Sequence, residues 1–304
     1  MRFMMLLKSD ANTEAGVMPS AEILTAMGKY NEELFNSGAL LAGEGLHPSA
    51  KGFRIRNSGG SLTITDGPFP ETHELLAGYW MIKADSKEEA IEWAKRVPFE
   101  AGGPSATGDG TGQIEIRQLF ELEDFPVNEN ESGWREQEAE MREQSENGSM
   151  NAAAHAGEGG GKKLKYLMMF KANERSEAGI LPTEEELATT GALMGELAEK
   201  GIIVEGEGLQ ASSKGARVYF NNGKRTVVDG PFPETKELIA GYCVVQVDSR
   251  EEALEIAKRG ALAGGDSDCE IRQVFQASDF SPELHAEVPE VFAAEREMRA
   301  AGKV

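Results

Sequence analysis

The sequence predicts an α+β protein built from two copies of one domain packed sheet against sheet, and three observations predict it. The chain repeats itself: laid with Phe3 over Tyr166 it matches without a gap as far as Arg96, and D-G-P-F-P-E-T stands at Asp66–Thr72 and again at Asp229–Thr235. Each copy alternates strand-length apolar runs with two capped helical segments. Finally, 304 residues at 40% hydrophobic content give two domains of about 150 residues, each able to bury a core.

The elements follow in order. Phe3 to Leu7 and Tyr166 to Phe170 are continuous apolar runs, as a strand covered on both faces requires. After Pro19 or Pro182 comes a helix, announced by the capping box Thr183-x-x-Glu186 in the second copy and by Leu24, Met27, Leu34 and Phe35 at helical spacing in the first. Gly38 or Gly201 ends it, and A-L-L-A-G or I-I-V-E-G opens a strand. F-R-I-R and L-T-I-T around N-S-G-G, matched by R-V-Y-F and R-T-V-V around N-N-G-K, predict a hairpin. The signature loop follows, with Gly67 and Gly230 expected at positive φ and the flanking prolines holding Phe69 or Phe232 in a rigid segment. L-L-A-G-Y-W-M-I-K-A is a strand, Ser86-x-x-Glu89 and Ser249-x-x-Glu252 cap a second helix, and I-E-I-R-Q-L-F closes the sheet.

The order β-α-β, hairpin, β-α-β is the ferredoxin-like arrangement, helices on one face of an antiparallel sheet. Its bare face has to be buried, and two copies packed sheet to sheet bury it in a pseudo-symmetric internal dimer. The predicted boundaries are residues 1–146, a Gly/Ala-rich linker at 147–163 and residues 164–304, each domain ending in a charged helix. As a coil, a linker of about 17 residues spans on the order of 20–25 Å, enough for face-to-face docking. A Gly-rich insertion, A-G-G-P-S-A-T-G-D-G-T-G, is expected on the surface of the first copy.

Charge narrows the function classes. With 31 basic against 52 acidic side chains and a net charge of −21, nucleic acid and anionic membrane are not expected partners. No apolar run reaches spanning length, and M-R-F-M-M-L-L-K lacks a signal peptide's apolar region, which predicts a cytoplasmic location. Cys243 and Cys269 form neither a disulfide scaffold nor a metal spacing, and Cys243 is expected in the core where the first copy has Trp80. None of the four histidines recurs in the other copy, and neither Gly-rich stretch is a phosphate loop, so no metal and no cofactor is expected.

The signature D-G-P-F-x-E-T-K-E, complete from Asp229 and with His73 for the lysine in the first copy, resembles the DGPF branch of the YCII-related family. G-E-G-L at Gly43 and Gly206, A-K-R after the second helix and the closing E-I-R-Q-x-F fit it too, and the resemblance covers nearly the whole chain twice. It implies a dimeric α/β barrel of the ferredoxin-like type, usually made by two chains and here by two halves of one. A His and an Asp are a proposed active-site pair in better-studied members. The first helix carries no His in either copy, and the second ends A-K-R-V-P-F and A-K-R-G-A-L, so neither residue carries over.

Two roles suit the signature aspartates Asp66 and Asp229: a general acid/base held by a rigid loop, or a cap on their own turn while the Phe plugs the core. Lys51 and Arg54, Lys214 and Arg217, with Arg117 and Arg272 on the last strand, are candidates to bind an anionic group or to pair with carboxylates inside the protein. Tyr79 and Tyr242 offer a hydroxyl to the cleft between copies or to a structural hydrogen bond. The function expected is binding of an unidentified polar or anionic small molecule, with or without acid–base chemistry. The other reading is a non-catalytic regulatory or protein-interaction module with the charged terminal helices as its contact surfaces; the family resemblance, with its association with extracytoplasmic-function sigma factors, is compatible with a regulatory role.

Overall fold

A computed structural model describes residues 1–71, 74–99, 111–125, 139 and 163–303. Residues 147–162 of the predicted linker, the first copy's terminal helix at Trp134 to Gln144 apart from Ala139, and residues 101–110 of the Gly-rich insertion lie outside the described residues. The first half runs β1 (Arg2–Lys8), α1 (Ala11–Glu14), α2 (Ala21–Asn36), β2 (Leu40–Gly45), β3 (Phe53–Ser58), β4 (Ser61–Asp66), β5 (Leu76–Lys83), α3 (Lys87–Lys95) and β6 (Thr111–Gln118). The second repeats it as β7 (Leu164–Lys171), α4 (Glu174–Glu177), α5 (Glu184–Glu199), β8 (Ile203–Gly208), β9 (Ala216–Asn221), β10 (Lys224–Asp229), β11 (Ile239–Val247), α6 (Arg250–Ala263) and β12 (Ser267–Gln273). A tail with α7 (Pro282–Glu287) and α8 (Pro289–Ala300) follows. The predicted caps are in place: Thr183, Ser86 and Ser249 each accept from the backbone N–H three residues on.

Two six-stranded antiparallel sheets result, ordered β10-β9-β6-β1-β5-β2 and β4-β3-β12-β7-β11-β8. The repeat left the hairpin's partner open, and the structure gives each hairpin to the other half. The second half's β9–β10 pairs along β6, with Glu115 opposite Arg217, and the first half's β3–β4 pairs along β12, with Glu270 opposite Arg54. The side chains show why: Phe53 and Ile55 of β3 enter the core beneath α6, and Ala216, Val218 and Phe220 of β9 enter the core beneath α3. The isolated bridges Leu46↔Val274 and Leu119↔Leu209 join the two sheets along two seams.

The continuous apolar strands follow from the layering. On β1, Phe3, Met5 and Leu7 face the helices while Met4 and Leu6 face the opposing sheet, and on β7 Tyr166 and Met168 face one way and Leu167 and Met169 the other. No helix among the described residues is long and apolar enough to cross a membrane.

Candidate functional site

The tail positions the site. Helix α8 lies against α2 where the latter carries Gly28; a Cβ there would stand 3.1 Å from Val291. Between α2, the turn at 16–19, the edge strand β2 and this tail lies a cavity of about 500 Å³. Its walls are mainly apolar, with Leu24, Met27, Trp80, Phe280 and Met298 among them. The Trp80 indole is held by two contacts: its Nε1–H donates to Asn31 Oδ1 at 2.9 Å, and its ring meets Tyr30 edge-on at 5.7 Å.

Polar and charged residues also line this space, Glu44, His47, Lys51, Asp279, Glu295 and Arg299 among them. His47, 4% exposed, stacks on Phe275 at 3.8 Å between ring centroids, and its Nε2 lies 3.1 Å from Asp279 Oδ2. Asp279 is fixed in turn by the Gln276 N–H, which donates to the same carboxylate oxygen at 2.8 Å. Burial pulls the imidazole below its ordinary value against the opposing Asp279, with Lys51 and Arg272 adding to the fall. A neutral His47 that donates Nε2–H to Asp279 keeps Nδ1 as an acceptor. Lys51 also lines the cavity, exposed and with no ion-pair partner among the described residues. Glu44 closes the inner end. Burial alone would raise its carboxyl, but Lys165 at 3.0 Å and Arg299 of the tail at 3.3 Å hold it below the usual range.

Apart from Lys51 and Tyr79, which both line this cavity, the structure scatters the residues predicted for a site. Asp66 and Asp229 end edge strands in solvent, Asp66 paired with Arg250 and Asp229 with Lys87 at 2.7 Å, and neither lines a described cavity. Neither caps its own turn. Gly67 is needed for close approach rather than for positive φ, since a Cβ on it would stand 1.9 Å from the Ser49 carbonyl. Phe69 plugs the core beneath the Arg54 guanidinium at 3.9 Å, as Phe232 does beneath Arg217 at 4.0 Å.

Arg54 donates to Glu270 at 2.9 Å and to the signature's Glu71 at 3.1 Å. Arg272, fully buried, bridges Glu14, Glu270 and the His47 carbonyl. Arg217 and Arg117 repeat this with Glu115, Glu234, Glu177 and the Gln210 carbonyl. These arginines are therefore spent on internal pairing. The remaining signature glutamates, Glu74 and Glu237, meet Lys8 and Lys171 around a gap of about 10 Å³, room for one water.

Tyr79 and Tyr242 turn into the layer between the sheets. There the Tyr79 hydroxyl donates to Glu205 at 2.5 Å and that of Tyr242 contacts Met81 Sδ at 3.3 Å. Burial, reinforced by Glu44 and Glu207, pushes the Glu205 carboxyl up to about 7 against the pull of the Tyr79 hydrogen bond and Lys165. Burial also pushes the Cys243 thiol up to about 12, which suits a core residue. Lys214 stands exposed in the second half where the first has Lys51. Sequence reasoning missed His47, Asp279, Asn31 and Trp80. The available signal was the very lack of a histidine partner in the other copy.

Comparison with known proteins places these features in a family. The model of the YCII-related domain matches residues 1–107 and 164–278. An uncharacterized protein of Rhizobium meliloti (strain 1021) is 34% identical over 74 residues, 24% of this chain and 54% of that protein, so the chain spans about half the length of the curated relative it matches. Among solved structures, two variants of chlorite dismutase from Candidatus Nitrospira defluvii align over 95% of this chain and 94% of theirs, at 8% identity with TM-scores of 0.36 and 0.34.

Proposed function

The chain belongs to the YCII-related family, and from that premise and the cavity's geometry we propose that it binds a small, largely apolar molecule bearing an anionic group, with His47 as the proton acceptor. The observation that carries this reading is an imidazole anchored on Asp279, held below its ordinary value by burial, in a mainly apolar cavity of about 500 Å³ that Lys51 also lines. The apolar walls supply contact area, Lys51 supplies the counter-charge and Nδ1 of His47 accepts a proton from the bound molecule. Acid–base work then falls to His47 rather than to Asp66 and Asp229, which stand in solvent with ion-pair partners.

8-Anilinonaphthalene-1-sulfonate, an aromatic anion, is a suitable probe. Its fluorescence should rise on saturable binding, and Leu24→Trp, which fills the cavity from α2, should weaken that binding by about tenfold or more. Binding unaffected by Leu24→Trp would place the probe elsewhere and contradict the reading.

A further inference from the structure

We propose that the two halves have diverged in role, so that among the described residues the working site lies on the first half, made so by Asn31, His47 and Trp80. This rests on the reading of the cavity given above and specifies where and how often it occurs.

The two halves share the scaffold around this place. The His47 N–H donates to the Gln273 carbonyl at 2.9 Å, and the Gln210 N–H to the Gln118 carbonyl at 2.9 Å. Each side has an aspartate that accepts from this position's side chain: Asp279 faces His47 at 3.1 Å, and Asp124 accepts from Gln210 Nε2 at 3.0 Å. The fold therefore needs only a hydrogen-bond donor here, and an amide meets that need. Gln210 commits its one side-chain nitrogen to Asp124 and to the Leu119 carbonyl at 3.1 Å, and has no group that takes up a proton near neutral pH. His47 makes the same anchoring contact with Nε2 and still has a second ring nitrogen. The imidazole exceeds what the structure requires.

The cavity wall differs in step. Asn31 and Trp80 of the first half correspond to Met194 and Cys243 of the second. In the first half the indole is pinned by Asn31 and forms the wall. In the second, the Met194 methyl lies 2.5 Å from where a Cβ on Gly206 would stand, so this side chain packs directly onto β8. Asn31, His47 and Trp80 change together while Glu44 and Glu207, Lys51 and Lys214, and Asp279 and Asp124 keep their type. That is the pattern of one half adapted to a ligand and the other to packing.

The exposed lysines Lys51 and Lys214 provide a matched pair of probes that leave both cores untouched. With 8-anilinonaphthalene-1-sulfonate in calorimetric titration of the full chain, the expected stoichiometry is one per chain. Lys51→Ala should weaken binding by about fivefold or more, and Lys214→Ala by less than about twofold. Asn31→Met with Trp80→Cys, which writes the second half's pair into the first, should abolish the saturable phase while urea denaturation shows the chain still folded. Two probes per chain, or equal losses from Lys51→Ala and Lys214→Ala, would overturn the divergence and leave the binding reading standing. No saturable binding at all would overturn both.

Discussion

At the residue scale, the buried ionisable groups decide how the protein responds to pH and to substitution. Glu205 occupies the place of Ala42 in the other half and holds its proton up to about 7. Its folded value is raised, so its favourable contribution is complete below the unfolded carboxyl value and is lost as pH rises through about 7, a loss of about 3 kcal/mol. Glu205→Gln should therefore flatten the fall in stability between pH 5 and pH 8, measured by urea denaturation across that range. A variant with an unchanged pH profile would place the titration elsewhere. Arg272 is the converse case: Arg272→Met strands Glu14 beside the Ser49 N–H and leaves Glu270 to Arg54 and the nearby Lys171. Denaturant unfolding should show a cost of about 3 kcal/mol or more. His47 lies below its ordinary value, so proton acceptance by it should persist as pH falls through 6.5 and fail only at more acid pH.

At the element scale, the helices and most strands were legible because caps and periodicity act locally. Thr183, Ser86 and Ser249 reach their own first turns, and β1 and β7 read as buried because both faces are apolar. The site was not legible, because it depends on which elements meet. His47 looks like an isolated loop histidine until the tail brings Asp279 and Phe275 to it from the far end of the chain. The signature aspartates stand apart for a related reason: the loop places Phe69 and Phe232 under arginines and leaves the aspartates in solvent, paired with Arg250 and Lys87. The contact of α2 with α8 makes a specific expectation. Gly28→Ala should destabilise the tail by about 1 kcal/mol despite alanine's better helix propensity, and Val291→Ala should recover it in the double variant, read by denaturation and by proteolysis of the tail. Additive effects would mean that the helices do not meet at this point.

At the scale of the whole molecule, duplication and hairpin exchange make the halves interdependent. Each sheet takes two of its six strands from the other half, and the layer between the sheets draws on both. Cutting the chain within residues 147–163 should therefore leave two fragments that co-elute in size-exclusion chromatography and unfold in one transition. Fragments that separate and stay folded would contradict the exchange. The net charge of −21 belongs to the same scale: the exposed acids keep the outside solvated, while inside, Glu44, Glu115, Glu207 and Glu270 each meet a cation. Against that background Lys51 stands out as a cation at a cavity mouth with no described counter-ion.

The central claim is that His47 is the neutral, ligand-facing base of one cavity. Long-range proton–nitrogen correlation spectra of histidine-labelled protein test it most directly, since the chain has only four histidines. The account predicts that at pH 7 His47 is a neutral imidazole protonated on Nε2, and that saturating 8-anilinonaphthalene-1-sulfonate shifts its Nδ1 resonance. An imidazole that carries a full positive charge at pH 7, or an Nδ1 signal that does not move as the probe saturates, would contradict it.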